Sequence, residues 1–314
     1  MDVSIIVPAF NEGDSIKELY EEIKRAMSDR VYSFEVIIID DGSTDRSHQV
    51  IKSISEHDSN FKYLSMVKNC GKSVALNEGF KVSCGKYIVT MDADLQDDPN
   101  EIHNLISKLE DGFDVVTGWK KERKDPLEKR IPSKVFNLVL RVVSGLKIND
   151  FNCGLKIYKK DVVKHLKIYG ELHRFIPMIL HFKGFNVAEI PVKHRKRKYG
   201  KSKYGLHRYF VGFMDLLTII LTVKFKTRPL HLFGGVGVLI FLVGFLVLSY
   251  LSLLWFLDIR PIEARPLFFL GILSVLSGIQ FVTTGLIAEL ITKNDPNLEE
   301  YILKDTNINE QSDL

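Results

Sequence analysis

Residues 87–99 read YIVTMDADLQDDP: a short run of β-branched and apolar residues, Tyr87 to Met91, stops in Asp92 and Asp94, one residue apart, with Gln96, Asp97 and Asp98 behind them. Such a run has the composition of a buried strand. Open α/β sheets bind ligands just past the carboxyl ends of their strands. Two carboxylates at this spacing can face one hard divalent cation, which takes oxygen ligands and is commonly shared with substrate phosphates. An acidic loop capping the next helix has the same composition. For Asp98, ahead of Pro99 and Asn100, the helix start is the favoured reading, and Asp97 goes with it. Two acids one residue apart decide nothing by themselves, so the flanking chain has to.

Upstream, Ser4 to Val7 make a buried strand that ends at Pro8, and Pro8 to Glu12 form the first loop. Ile16, Leu19, Tyr20, Ile23 and Met27 then recur at helical spacing between charged residues, an amphipathic helix that covers a sheet. Phe34 to Ile39 form a second strand ending in Asp40, Asp41, Gly42, Ser43, Thr44 and Asp45, where glycine permits a tight turn and Ser43 or Thr44 is placed to cap a helix. The segments 61–67, 72–82, 86–92, 100–109 and 114–117 continue the alternation. Strand runs separated by helical ones predict an α/β domain with a mainly parallel sheet and helices on both faces.

Downstream of Gly118 the pattern changes to a basic stretch, WKKERKDPLEKR, and then to residues 131–146, whose apolar positions leave too little polar surface for an ordinary solvent-facing helix. Two readings stand for this helix: a core helix, or one lying in a membrane interface with Lys129, Arg130, Lys134 and Arg141 at headgroup level. Residues 204–225, after the basic run KHRKRKYGKSKYG, favour the interfacial reading. Leu230 to Leu257 and Pro266 to Ala288 contain no Asp, Glu, Lys or Arg. Each exceeds the ~20 apolar residues that cross a ~30 Å hydrocarbon core, so both predict transmembrane helices. Lys224, Lys226, Arg228 and Lys293 flank one side, which puts both termini and the polar domain in the cytoplasm. Gly234, Gly235, Gly237 and Gly244 in the first span read as close-packing positions, and a homo-oligomer packed through them is one expectation. The organisation expected is a domain over 1–228, a two-helix anchor over 229–293 and a flexible acidic tail over 294–314.

The net charge is only +4, with much of the basic excess between Lys193 and Arg228, beside the apolar runs. That position points to membrane phosphates and away from nucleic acid. Three cysteines without a C-x-x-C spacing indicate neither a disulfide framework nor a zinc site. No signal-peptide pattern precedes the first strand, so the amino terminus is expected in the cytosol.

With these pieces in place, the chain resembles the family 2 glycosyltransferases of GT-A fold, and among them the polyprenyl-phosphate hexose transferases such as dolichyl-phosphate mannose synthases and bactoprenol glucosyltransferases. The resemblance spans nearly the whole chain. It rests on the order of Pro8 to Glu12, Asp40 to Asp45, Asn69 to Lys72, Asp92 to Gln96, Asn152 to Lys156, His173 to Phe175, and Arg197 with Gly200, Ser202 and Lys203. It implies nucleotide contacts at Pro8, Ala9, Phe10, Glu12, Asp41, Lys72, Asp92 and Ala93. It implies a Mg²⁺ or Mn²⁺ ion and the sugar diphosphate at Asp92, Asp94 and Gln96. It places the phosphate of a polyprenyl or dolichyl acceptor near Arg130, Ser133, Arg197, Ser202 and Lys203. Asp92, Asp94, Arg130, Arg197 and Lys203 are the catalytic set so implied, with UDP-glucose or GDP-mannose as donor.

The chemistry agrees with that implication. Negative charge growing on a leaving diphosphate calls for a cation. A lipid phosphate with a second pKa near ~6 is already a nucleophile at neutral pH, so it needs positioning more than a base. Within the basic run, Lys193, Arg195, Lys196 and Lys198 read as attraction to anionic lipid, and Arg197 and Lys203 as substrate contacts. Asp150 is either a base, a sugar-hydroxyl acceptor or a turn residue, while His173 and Arg174 either reach a substrate or pack. Alternatives are another donor such as a UDP-N-acetylhexosamine, or a non-catalytic scaffold for export of a lipid-linked sugar. A processive synthase lacks its Q-x-x-R-W segment here, and a dinucleotide oxidoreductase lacks G-x-G-x-x-G after the first strand.

Overall fold

A computed structural model describes residues 1–28, 32–121, 127–196, 198–199, 214–225, 228–257 and 266–293, with the side chains of 127–132 outside the description. Arg130 as a side chain, Arg197, Ser202, Lys203, residues 204–213 and the tail 294–314 therefore lie outside the described residues. Two compact units divide the chain, Met1–Asp215 and Leu216–Leu314. The division falls ahead of the 228/229 boundary read from the sequence.

The first unit is built on a seven-stranded sheet: β1 Val3–Ala9, β2 Phe34–Asp40, β3 Phe61–Ser65, β4 Tyr87–Thr90, β5 Val115–Trp119, β6 Lys156–Lys159 and β7 Val187–Pro191, in the spatial order 3-2-1-4-6-5-7. β1 pairs parallel with both β2 and β4. Almost every residue of β1, β2 and β4 is buried, as expected of strands with both faces covered. The helices α1 Ile16–Ser28, α2 Ser47–Ser55, α3 Lys72–Val82 and α4 Glu101–Glu110 return the chain between strands, and α1 packs Ile16, Leu19, Tyr20, Ile23 and Met27 into the core. The parallel α/β reading holds for this half.

Two strands escaped the sequence reading. β6 and β7 are four and five residues long and sit in mixed polar and apolar stretches, without the long apolar runs of β1 and β2. β6 runs antiparallel between β4 and β5, with Thr90 opposite Lys156. It thereby brings the Asn152–Lys156 segment to the carboxyl end of β4. The expected cap of α2 also differs. Ser43 Oγ accepts the Asn11 amide at 2.9 Å, and Asp45 Oδ1 accepts the Ser47 amide.

The helix α5 Leu127–Ser144 is turned inside out relative to a soluble helix. Val135, Leu138, Val139 and Val142, at the i, i+3, i+4, i+7 spacing of one helical face, are exposed, Val142 at 75%. Ser133, Asn137, Leu140 and Ser144 are the buried face. Phe136 against Phe175 and the Asn137 carboxamide oxygen, which accepts the Phe151 amide, dock it to the domain. A core helix would show the reverse orientation.

In the second unit the helices Pro229–Phe256 and Pro266–Lys293 are 28 residues each, long and apolar enough to cross a membrane. Gly237, Gly244 and Leu251 on the first and Gly271, Gly278 and Gly285 on the second are buried at seven-residue spacing. A Cβ at Gly237 would stand 2.7 Å from the Gly278 carbonyl oxygen, and one at Gly244 2.7 Å from the Val275 nitrogen. These glycines therefore serve close approach within the hairpin. Gly237 and Gly244 are used inside one chain, whereas a Cβ at Gly235 meets nothing within 4 Å.

Candidate active site

The order 3-2-1-4 makes the ends of β1, β2 and β4 the point where the sheet's winding reverses, and a crevice opens there. The first two loops are tied together across it. Asn11, held at φ 53°, accepts the Thr44 amide on its side-chain oxygen at 2.8 Å, and the Glu12 amide donates to Ser47 Oγ at 2.9 Å. The Asp41 carboxylate accepts the Cys70 amide at 2.6 Å and the Gly71 amide at 2.9 Å, which pins the Asn69–Lys72 turn beside it. Gly42, at φ 70°, presses against the Lys68 backbone, where no side chain fits.

The resulting cleft has a volume of about 330 Å³. Pro8, Ala9, Phe10, Glu12, Asp41, Lys72, Asp92 and Ala93 all line it, together with Asp94, Asn69, Gly71 and Glu171. Every residue that the resemblance implies as a nucleotide contact thus lines one cleft. Glu171 is an addition that its distance along the chain concealed.

Asp92 pairs with Lys72 and rests on Gly154, where a Cβ would stand 2.5 Å from the carboxylate. Burial works to protonate Asp92, but Lys72 and Lys120 outweigh it and hold the carboxyl below its usual range. The Asp94 carboxylate accepts the Gln96 amide at 3.2 Å, and Leu95 between them is buried at φ 61°, an uncommon backbone state for leucine. Such local strain collects at functional sites. Gln96 is not brought to the cleft: its side chain donates to the Arg195 carbonyl at 3.3 Å.

Among the described residues no group of three His, Cys, Asp or Glu is placed to hold a metal. Asp92 and Asp94 nevertheless fit one, because Mg²⁺-type ions bind through one or two carboxylates and complete their shell with water and substrate phosphates.

Adjoining the cleft, and sharing Pro8, Lys72 and Asp92 with it, is a small recess of about 10 Å³ bordered also by Lys156, His173 and Arg174. Lys156 is 4% exposed and donates to the Cys153 carbonyl. Burial pulls its ammonium down to about 8. Burial, with Lys72 and Arg174 nearby, holds His173 well below the usual imidazole range, and its Nδ1 lies 3.1 Å from Ser73 Oγ.

A second cleft, of about 420 Å³, opens between β5 and α5. Its lining carries Lys120, Lys121, Lys134 and Arg141, with Ser133, Asn137 and Asp150. Of the expected acceptor residues, Ser133 is here, and the others lie outside the described residues. Lys134 and Arg141, read from the sequence as headgroup-level cations, are joined here by Lys120 and Lys121 from the end of β5. Asp97 is a correction: it caps nothing, and instead sits 1% exposed with Lys120 Nζ at 3.0 Å. Asp98 does start α4, accepting the Asn100 amide, and also pairs with Arg195. Arg195 reaches Glu22 as well, and Lys198 reaches Glu18. Both therefore brace α1. Asp150 is buried and accepts the Asn152 amide.

Against known families, residues 4–167 match the model of Glycosyl transferase family 2. The chain belongs to that family. This glycosyltransferase is 36% identical over 298 residues to a dodecaprenyl-phosphate galacturonate synthase of Rhizobium johnstonii, covering 93% of this chain and 88% of the relative. It is 33% identical over 292 residues to an undecaprenyl-phosphate 4-deoxy-4-formamido-L-arabinose transferase of Salmonella choleraesuis, covering 92% and 88%. A glucosyl-3-phosphoglycerate synthase from Mycobacterium tuberculosis, solved with Mn²⁺, uridine diphosphate and phosphoglyceric acid, superposes with a TM-score of 0.54 at 18% identity over 70% of this chain and 77% of that one. That likeness extends the GT-A fold to this enzyme.

Proposed function

We propose that this glycosyltransferase moves a sugar from a nucleoside-diphosphate donor to a polyprenyl phosphate at the cytoplasmic face of a membrane. The outward apolar stripe of α5 beside a basic cleft is the observation that carries the reading. A helix so oriented suits the headgroup boundary, where its cations meet an anion that arrives with a lipid. The two apolar helices and the two relatives named for polyprenyl phosphates support it. A domain over 1–228 and an anchor over 229–293 fit this reading, with both termini on the cytoplasmic side.

The 330 Å³ cleft takes the nucleotide. Pro8, Phe10, Glu12 and Asp41 meet the nucleoside, and Lys72 stands over the diphosphate. Asp92 and Asp94 would hold Mg²⁺ or Mn²⁺, which when bound supplies Lewis-acid neutralisation of the leaving diphosphate. A phosphate oxygen of the acceptor attacks the anomeric carbon as the bond to the diphosphate oxygen breaks, inverting that centre and releasing the nucleoside diphosphate. The dianionic acceptor has no proton to lose. Arg130, Ser133, Arg197, Ser202 and Lys203, with Lys120, Lys134 and Arg141, are assigned to acceptor positioning and to relief of repulsion between the two anions.

The donor expected from the resemblance carries glucose or mannose, whereas the relatives are named for a galacturonate and a formamido-arabinose. The test is a donor screen with the full chain in detergent, polyprenyl phosphate and Mn²⁺. A chloroform-soluble sugar phosphate that disappears with chelator is the expected product. Transfer only to water-soluble acceptors sinks the proposal.

A further inference from the structure

Asp97 has no part in the reaction above, yet it is the most buried carboxylate of the acidic run 92–98, at 1% exposed. Its Oδ1 lies 3.0 Å from Lys120 Nζ, and neither of its oxygens has a hydrogen bond to any other described residue. Lys120 follows β5 directly and is only 13% exposed, in the wall of the basic cleft beside α5. A buried ion pair adds little net stability, because both charges give up their hydration. What it fixes is where the charges stand.

A second carboxylate competes for the same ammonium. Gly118, on β5, lies against Cys153, where a Cβ would stand 2.9 Å from Sγ, and the next residue, Gly154, lies against the Asp92 carboxylate. Lys120 and Asp92 thus flank one short segment. Burial works against the charge on each. Even so, Lys72 and Lys120 hold Asp92 below the usual carboxylate range, while Asp97 foremost, and Asp92 among others, hold Lys120 above the usual lysine range. The two attract without pairing, since the cation bound to Asp92 is Lys72. An ammonium that closed on Asp92 would take up oxygen that a divalent cation needs, and would leave the wall of the basic cleft.

We infer that Asp97 is a positioning residue: it ties the Lys120 ammonium into the wall of the basic cleft and keeps it off Asp92. One loop then offers Asp92 and Asp94 to the metal ion and, through Asp97, aims a cation at the acceptor phosphate. This rests on the donor-to-lipid transfer proposed above and adds what keeps its two charge sites apart. An ammonium has three protons, so contact with Asp97 still leaves donors for a phosphate.

The test reads Mn²⁺ affinity by electron paramagnetic resonance in the full chain, with UDP or GDP, whichever raises the wild-type melting temperature. KM for polyprenyl phosphate is measured separately. Asp97→Asn keeps the shape and removes the charge. It is expected to weaken Mn²⁺ binding about tenfold, the scale of a lost partner to a metal ligand, and to raise the lipid KM about fivefold. Adding Lys120→Met should return Mn²⁺ affinity to near the wild-type value and leave the lipid KM raised, because no ammonium remains to close on Asp92. Asp97→Glu, which keeps the pair but moves the ammonium, should raise the lipid KM alone. A purely structural pair would lower the melting temperature and move neither constant. Either constant unchanged in folded Asp97→Asn, or a Mn²⁺ deficit that persists in the double variant, overturns the inference and leaves the transfer standing. If Asp97→Asn does not fold, a lipid KM unmoved in both Asp97→Glu and the double variant overturns it equally. A wild type that binds no Mn²⁺, or makes no lipid product, overturns the underlying transfer as well.

Discussion

The two clefts of the catalytic unit differ in how their charges are held. In the nucleotide cleft the acids are answered from within the fold: Asp92 by Lys72, Asp41 by the Cys70 and Gly71 amides. They sit on the ends of three adjacent buried strands. In the cleft beside α5, cations predominate, and one wall is a helix whose apolar face points outward. On the proposed reading the first cleft suits a soluble ligand bearing its own metal and the second an anion delivered by a lipid, so that one protein keeps two anionic substrates apart.

Removing the acidic pair strikes the first cleft hardest. Asp94→Ala is expected to lower transfer at least about 100-fold with the fold intact, as loss of a charge-stabilising group in an active site does. Full turnover in that variant, measured with Mn²⁺ present, breaks the assignment of the cleft. Gly154→Ala comes next: its methyl group would displace the Asp92 carboxylate that it touches. A loss of about tenfold in kcat, with KM for the lipid unchanged, is expected from a misplacement of this size.

Reversing charge in the second cleft should act on the other substrate. Lys134→Glu or Arg141→Glu is expected to raise KM for polyprenyl phosphate about fivefold, on the scale of ~1 kcal/mol per basic residue near an anionic surface. The donor KM should not move; if it rises in step, the two clefts are not separate in function. Val142→Asp, on the exposed stripe, should reduce activity in vesicles about twofold and leave activity on a short, soluble acceptor unaltered.

The smallest effect separates site from scaffold. Glu35, at the amino end of β2, is buried, and Lys62, Ser4 and the Cys84 amide outweigh that burial to hold its carboxyl below the usual range. A folded value below the unfolded one, near about 4.3, stabilises the fold above that pH and is lost as pH falls through the folded value. The melting temperature of the wild type should therefore fall more steeply between pH 6 and pH 3 than that of Glu35→Gln. Equal slopes would show that acid acts elsewhere.

The sequence alone determined the parallel half of the sheet and which loops meet at its carboxyl edge. Short apolar runs such as Ser4 to Val7 and Tyr87 to Met91 announce buried strands, and the residues directly after them must lie at strand ends, so local order along the chain becomes order in space. The long uncharged runs announced the two apolar helices for the same reason: hydrocarbon thickness is read in residues. Tertiary structure alone decided the rest. The position of Lys156 beside Thr90 depends on β6 entering antiparallel, 66 positions along the chain, and a four-residue strand carries no signal of direction. Asp97 looked like a cap until Lys120 was found opposite it. Periodicity showed that α5 has an apolar face, but only the docking of Ser133, Asn137 and Leu140 against the domain turned that face outward. A pattern along one element states which side is apolar; what that side meets is fixed by residues far away in sequence.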